Sequence, residues 1–352
     1  MDNINNYNFD FDHEVKALRQ SLDGLGDNIL FIKIKVEEDG TKRLRPWGPN
    51  YSAMLAGRHQ SIQQAALEEI NKYYVRPDSS SKGIKWQAVE PWNPEVEEIT
   101  GRAVICNEDD SFSGMLGNRN KSLMNLFTLY HETGHTITSS ALTADTKRPL
   151  TESAADAYAA LRFLQRFGED AVPFLSMVSW LRAYNAVKGY TKHVTTTVLD
   201  KIIADSATVD FSKLTPAETI KRAEDYTNEW APEASVLKEA RKAFIHKPQL
   251  NDFNLLAETC LASPPNNFAF YIGAKVFQPF LQPEGVFIDG ARLRPPALLR
   301  RECEALLQAR TTGVTLSDIF NKKLPRPRAE PSLAETLKVT LPKGQKQIRM
   351  RS

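Results

Sequence analysis

Residues 129–140 read LYHETGHTITSS and hold two of the chain's six histidines, His131 and His135, with Glu132 directly after the first. The longer run KSLMNLFTLYHETGHTITSSAL carries Leu123, Phe127, Tyr130, Gly134 and Ile137 at steps of four, three, four and three, one apolar stripe of a helix. On such a helix His131 and His135 project from the same face, about one turn apart. Two neutral imidazoles at that spacing can bind one Zn²⁺. Glu132 stands about 100° around the axis, where its carboxylate can reach a water on that ion without binding the ion itself. A Lewis acid beside a general base is the arrangement that attack on an amide carbonyl needs. Thr133 and Gly134 keep the inner side of the turn small. The same residues also suit two solvated histidines on an exposed helix face, so the neighbouring sequence has to decide.

The segment ADTKRP breaks the helix, and LTESAADAYAALRFLQRFG forms the next one, with Thr151 placed to cap it. Glu152 and Asp156 are again four apart and share a face. If the second helix returns antiparallel to the first, Glu152 approaches the two imidazoles as a third ligand. Asp156, one turn on, can then accept the ring N–H of a ligand histidine and fix its tautomer. A simpler reading competes, because acidic residues favour the first turn of any helix. Two other carboxylates are available. Asp145 lies in the intervening loop, where Lys147, Arg148 and Pro149 argue for exposure. Glu169 ends the second helix, more than about four turns from its start.

HETGH followed by ESAAD resembles the gluzincin branch of the zincin metallopeptidases, over about residues 101–165. That resemblance implies His131, His135 and Glu152 as zinc ligands, Glu132 as the base and Asp156 as the partner of a ligand histidine. The metzincin continuation fits less well, since it requires glycine and histidine where this chain has Thr138 and Ala141. Zincins also carry a strand just before the metal helix that lies antiparallel to bound peptide. RAVICNEDDSFSGML is placed to supply it at a sheet edge, where substrate would bind by strand addition. A donor for the developing oxyanion is expected from GYTKHVTTTVLD or from the second helix, with His193 preferred over Tyr190 and Tyr158. An exposed helix-start histidine is the plainer alternative for His193.

Elsewhere the pattern is that of a globular chain, 41% hydrophobic and 25% charged over 352 residues. Residues 1–12 read as a loose leader. HEVKALRQSLDGL has helical spacing, NILFIKIKVEEDG alternates as a strand, and AGRHQSIQQAALEEINKYYV is helical. Further helices are expected at 171–188, 192–205, 215–230, 235–246 and 296–310. The third of these opens with Thr215, Pro216 and Glu218, a capping-box sequence. From Lys322 to Ser352 there are nine Lys or Arg against two Glu, so the basic charge sits at the end and the rest is mildly acidic. Residues 324–352 are therefore expected to form a disordered basic tail, and the body lacks the basic face of a nucleic-acid binder.

The start MDNINNYNFDFDHEVK has no basic, apolar sequence of a secretory signal, and FAFYIGAKVF is too short to span a membrane. Cys106, Cys260 and Cys303 suit free thiols. These readings predict an α+β, zincin-like fold at 13–323, with a small mixed α/β part to about residue 120 and a predominantly helical body after it. They predict a zinc-dependent peptidase with a protein or peptide substrate, no nucleic-acid partner and no membrane span. Its location would be cytoplasmic, or outside the cell by a route without an N-terminal signal. The rivals are a zinc hydrolase of a non-peptide amide, and a helical interaction protein whose zinc site is structural or lost.

Overall fold

The stripe at 123–137 lies on a 25-residue helix in the computed structural model. The structure describes residues 3–22, 29–36, 42–46, 87–89, 102–106, 113–138, 148–187, 191–244, 267–281, 286–288 and 291–293, with single positions 263, 304 and 308. The tail at 324–352, the helix expected at 56–75, nearly all of that at 296–310, and residues Asp145 and Tyr190 lie outside these residues.

Helix α1 (Phe11–Ser21) is capped by Asp10, whose side chain accepts from the His13 amide at 2.7 Å. Strand β1 (Ile29–Val36) follows, then β2 (Lys42–Pro46), β3 (Gln87–Val89) and β4 (Arg102–Cys106). They form one sheet in the order β2-β1-β4-β3. Strand β1 pairs antiparallel with β2, Val36 opposite Lys42, and parallel with β4, Ile29 opposite Arg102. Strand β3 pairs antiparallel with β4, Gln87 opposite Ile105. Ile29 and Phe31, two apart and therefore on one face of β1, are both buried. Among the described residues, strand β4 is thus an inner strand with a partner on each side, not the open edge expected of RAVICNEDDSFSGML, of which 107–112 lie outside the described residues. The β3 edge lies beyond it.

The helical body comprises α2 (Ser113–Ile137), α3 (Arg148–Phe167), α4 (Val172–Val187), α5 (Thr196–Asp205), α6 (Pro216–Trp230), α7 (Ala234–Phe244) and α8 (Phe268–Phe277). A hairpin of β5 (Val286–Ile288) and β6 (Ala291–Leu293) follows α8. Helix α2 packs on β4, β3 and, most extensively, on α3. Helix α3 begins at Arg148 with Pro149 in its first turn, where a missing N–H costs nothing. Thr151, expected as the cap, therefore lies inside the helix. At α6 the capping box forms as written, Thr215 and Glu218 each bonding the other's backbone amide. No helix among the described residues is long and apolar enough to cross a membrane.

Beneath the α2–α3 pair, Phe163 of α3 meets Phe127 of α2 with centroids 5.7 Å apart and stacks on Phe174 of α4 at 5.0 Å and 14°. Each such ring buries well over about 100 Å² of apolar surface, which fixes the rotation of α2 and so the face on which its histidines emerge. The chain start is also pinned. Ile4, Tyr7 and Phe9 pack against the core, Phe11 is buried, and Tyr7 stands edge-on to Phe167 at 5.6 Å. Residues 4–12 are therefore not a loose leader, because four bulky apolar or aromatic side chains in that short stretch find cover. Glu14 is buried and receives the Arg166 guanidinium through two bonds, of 2.5 and 3.0 Å, tying α1 to α3.

Candidate metal centre

Helices α2 and α3 approach so closely at Gly134 that a side chain there has no space. A Cβ on Gly134 would stand 2.9 Å from the Ala155 Cα and 3.2 Å from its carbonyl oxygen. This contact brings the polar faces of both helices to one place. His131 Nε2 and His135 Nε2 are 3.1 Å apart, and Glu152 Oε2 lies 3.4 Å from the first and 3.6 Å from the second. A tetrahedral ion bonded at about 2.0–2.1 Å holds its ligand atoms about 3.3–3.4 Å from one another. The three separations bracket that value. Two imidazoles and a carboxylate also match zinc in donor type, so the residues present fit the ion.

Asp156 stands behind the triad. Its carboxylate is fully buried and accepts from His131 Nδ1 at 2.7 Å. With Nδ1–H donated there, Nε2 is the ring atom that faces His135 and Glu152, and it carries the lone pair once the ring is neutral. Arg182 of α4 gives Asp156 two more bonds at 2.7 Å, and the Thr195 hydroxyl gives a fourth. Burial would raise the Asp156 carboxyl, but Arg182 and His131 hold it well below the ordinary carboxylate range. Burial would likewise lower His131, yet the carboxylates of Asp156, Glu152 and Glu132 lift it to about 10 in the ion-free protein. Glu152 is lowered, against burial, by hydrogen bonds from His131, His135 and His193.

Glu132 is buried at 8% exposure, one position after His131 on α2, close enough for its charge to act on both His131 and Arg182. His193, in the turn Thr191–His193, has its Nδ1 3.0 Å from Glu152 Oε2 and keeps 42% of its side chain exposed. Its Nδ1–H is spent on Glu152, so the ring holds that carboxylate in place. Donation to an oxyanion, the role expected of it, would need a second ring hydrogen. Tyr158 is buried at 1% exposure, and its hydroxyl has no partner among the described residues. Glu169 is exposed in the turn Gly168–Ala171 that follows α3, about four helical turns beyond Glu152.

Arg182 and Thr195 were not among the residues singled out in the sequence. The run VTTTV was the available signal. Its three threonines all turn inward, Thr195 to Asp156, Thr196 to the Ser179 hydroxyl at 2.7 Å and Thr197 to the Trp230 carbonyl at 2.7 Å. Compared with known proteins, the chain matches no family model, no curated protein and no solved structure.

Two substitutions test this construction. Gly134→Ala gains about 1 kcal/mol of helix propensity. It also places a methyl group against backbone that cannot turn aside, and such overpacking costs about 1–3 kcal/mol. The net expectation is a lower melting temperature and weaker zinc binding, as α2 and α3 are forced apart. Calorimetric melts with and without zinc check both. Asp156→Asn keeps the shape but loses the charge and one acceptor, and is expected to weaken zinc binding by about 10- to 100-fold in a chelator competition.

Proposed function

We propose that this chain is a zinc-dependent metallopeptidase of zincin-like α+β architecture, with His131, His135 and Glu152 as ligands and Glu132 as general base. The observation that carries the reading is the trio of donor atoms at tetrahedral-ligand spacing on two facing helices. Zinc held there supplies Lewis acidity toward a carbonyl and acidifies water.

The rest of the chemistry belongs to the side chains. Glu132, on the helix that supplies both histidines, is suited to take a proton from the attacking water and return it to the leaving amine. Asp156 holds His131 in the tautomer that offers Nε2. His193 holds Glu152. Substrate in this reading is an extended peptide, and the sheet edge at β3, next to the strand on which α2 packs, is where it would add as a strand.

Metal analysis of purified protein, paired with a proteome-wide search for new N-termini after exposure to active and Glu132→Gln forms, tests the proposal. Zinc at one equivalent and new termini made only by the active form are expected. Zinc without peptide cleavage would favour a non-peptide amide as substrate. A chain that holds no zinc would leave a helical interaction protein.

A further inference from the structure

A fully buried carboxylate costs several kcal/mol unless charge and hydrogen bonds meet it on every side. Asp156 is met from three elements besides its own: His131 from α2, Arg182 from α4 and Thr195 from the residue before α5. Thr195 occupies the N-cap of α5, yet its side chain makes no cap bond. A capping threonine contributes about 1 kcal/mol to its helix. Here that hydroxyl is turned to Asp156 instead, a local rule broken beside a site. Arg182 presents two donors in a rigid plane, Nε to Oδ2 and a terminal nitrogen to Oδ1, each at 2.7 Å. A planar fork fixes the plane of a carboxylate as a single ammonium cannot. Oδ1 is also the atom that accepts from His131. The orientation of that oxygen therefore sets the rotation of the His131 ring, and with it the direction of Nε2.

The geometry points to Arg182 and Thr195 as positioning residues for the metal ligand His131, acting through Asp156. This inference rests on the metal-centre reading above. The bare alternative is an ion pair that only stabilises the helical body, and the two differ in what an ion at the site would sense. If the pair only stabilises, substitutions lower the melting temperature and leave the ion's surroundings unchanged. If it positions His131, ligand geometry and affinity move even in a folded variant.

The test uses full-length Arg182→Lys, Arg182→Gln and Thr195→Val proteins, with folding followed by circular dichroism. Each is titrated with Co²⁺ as a visible probe and with Zn²⁺ against a chelator. Arg182→Gln is expected to lose about 10- to 100-fold in affinity for both ions and to change the visible Co²⁺ spectrum. Arg182→Lys should recover part of that loss, and Thr195→Val, which removes one donor at constant shape, should lose several-fold. Should Arg182→Gln not fold, the lysine and valine variants carry the test alone. Folded variants with wild-type affinity and spectrum, beside a wild-type protein that binds both ions, overturn this inference and leave the metal centre standing. A wild-type chain that binds neither ion overturns both.

Discussion

Glu132→Gln is expected to keep its zinc and to lose about 10³-fold or more in kcat/KM on any peptide the wild-type protein cleaves. The substitution is nearly isosteric, so the packing around this buried side chain survives. The proposed ligand atoms of His131, His135 and Glu152 are untouched. The loss of one negative charge near His131 and Arg182 would shift metal affinity a little, because both feel the Glu132 carboxylate. What goes is the oxygen that takes and returns a proton in the proposed mechanism. Metal content and single-turnover cleavage, measured on the same preparation, separate the two effects. Turnover near that of wild type would remove Glu132 from the mechanism.

Glu152→Ala is expected to release the ion almost completely. It deletes one of three donors and leaves two imidazoles, a weak site for Zn²⁺. It also removes the acceptor of His193 Nδ1, so the turn at Thr191–His193 loses its anchor on α3. The fall in affinity should go well beyond the roughly 10- to 100-fold expected for a residue that only supports a ligand. Glu169 cannot substitute from the turn beyond the far end of α3. Full zinc occupancy in Glu152→Ala would show another carboxylate on the ion, Asp145 in the α2–α3 connection being the first to examine. Glu152→Asp, shorter by one methylene, should fall between alanine and wild type.

Which parts of this arrangement could be read in the sequence follows from how far each depends on local geometry. His131, Glu132 and His135 sit within one turn, and Glu152 and Asp156 within the next helix. Helical periodicity alone gives their relative directions, and a short connection gives the antiparallel return. The capping box at Thr215 is equally local. Arg182 and Thr195 depend on where α4 and α5 dock against α3, which no period in the sequence encodes. An arginine on an apolar helix looks like any solvated one until the carboxylate it faces is known. The start of the chain misled for a related reason. Polar Asn and Asp surround Ile4, Tyr7, Phe9 and Phe11, and the composition outweighed the few apolar side chains that pack. Strand β4 misled because its sequence is that of a strand, whereas being inner or outer depends on β3, a three-residue strand too short to stand out.

The Asp156 carboxylate binds side chains from α2, α4 and the start of α5 while belonging to α3. An ion at the proposed site would therefore link its occupancy to global unfolding, since α2 and α3 cannot separate without also breaking the joint behind them. An ion that binds only the folded chain, at a hundredfold excess over its dissociation constant, adds about 2.7 kcal/mol to the unfolding free energy. A melting curve then reads out occupancy directly. Divalent metals could be ranked for this site by the temperature at which each lets the helices come apart, with no substrate in hand.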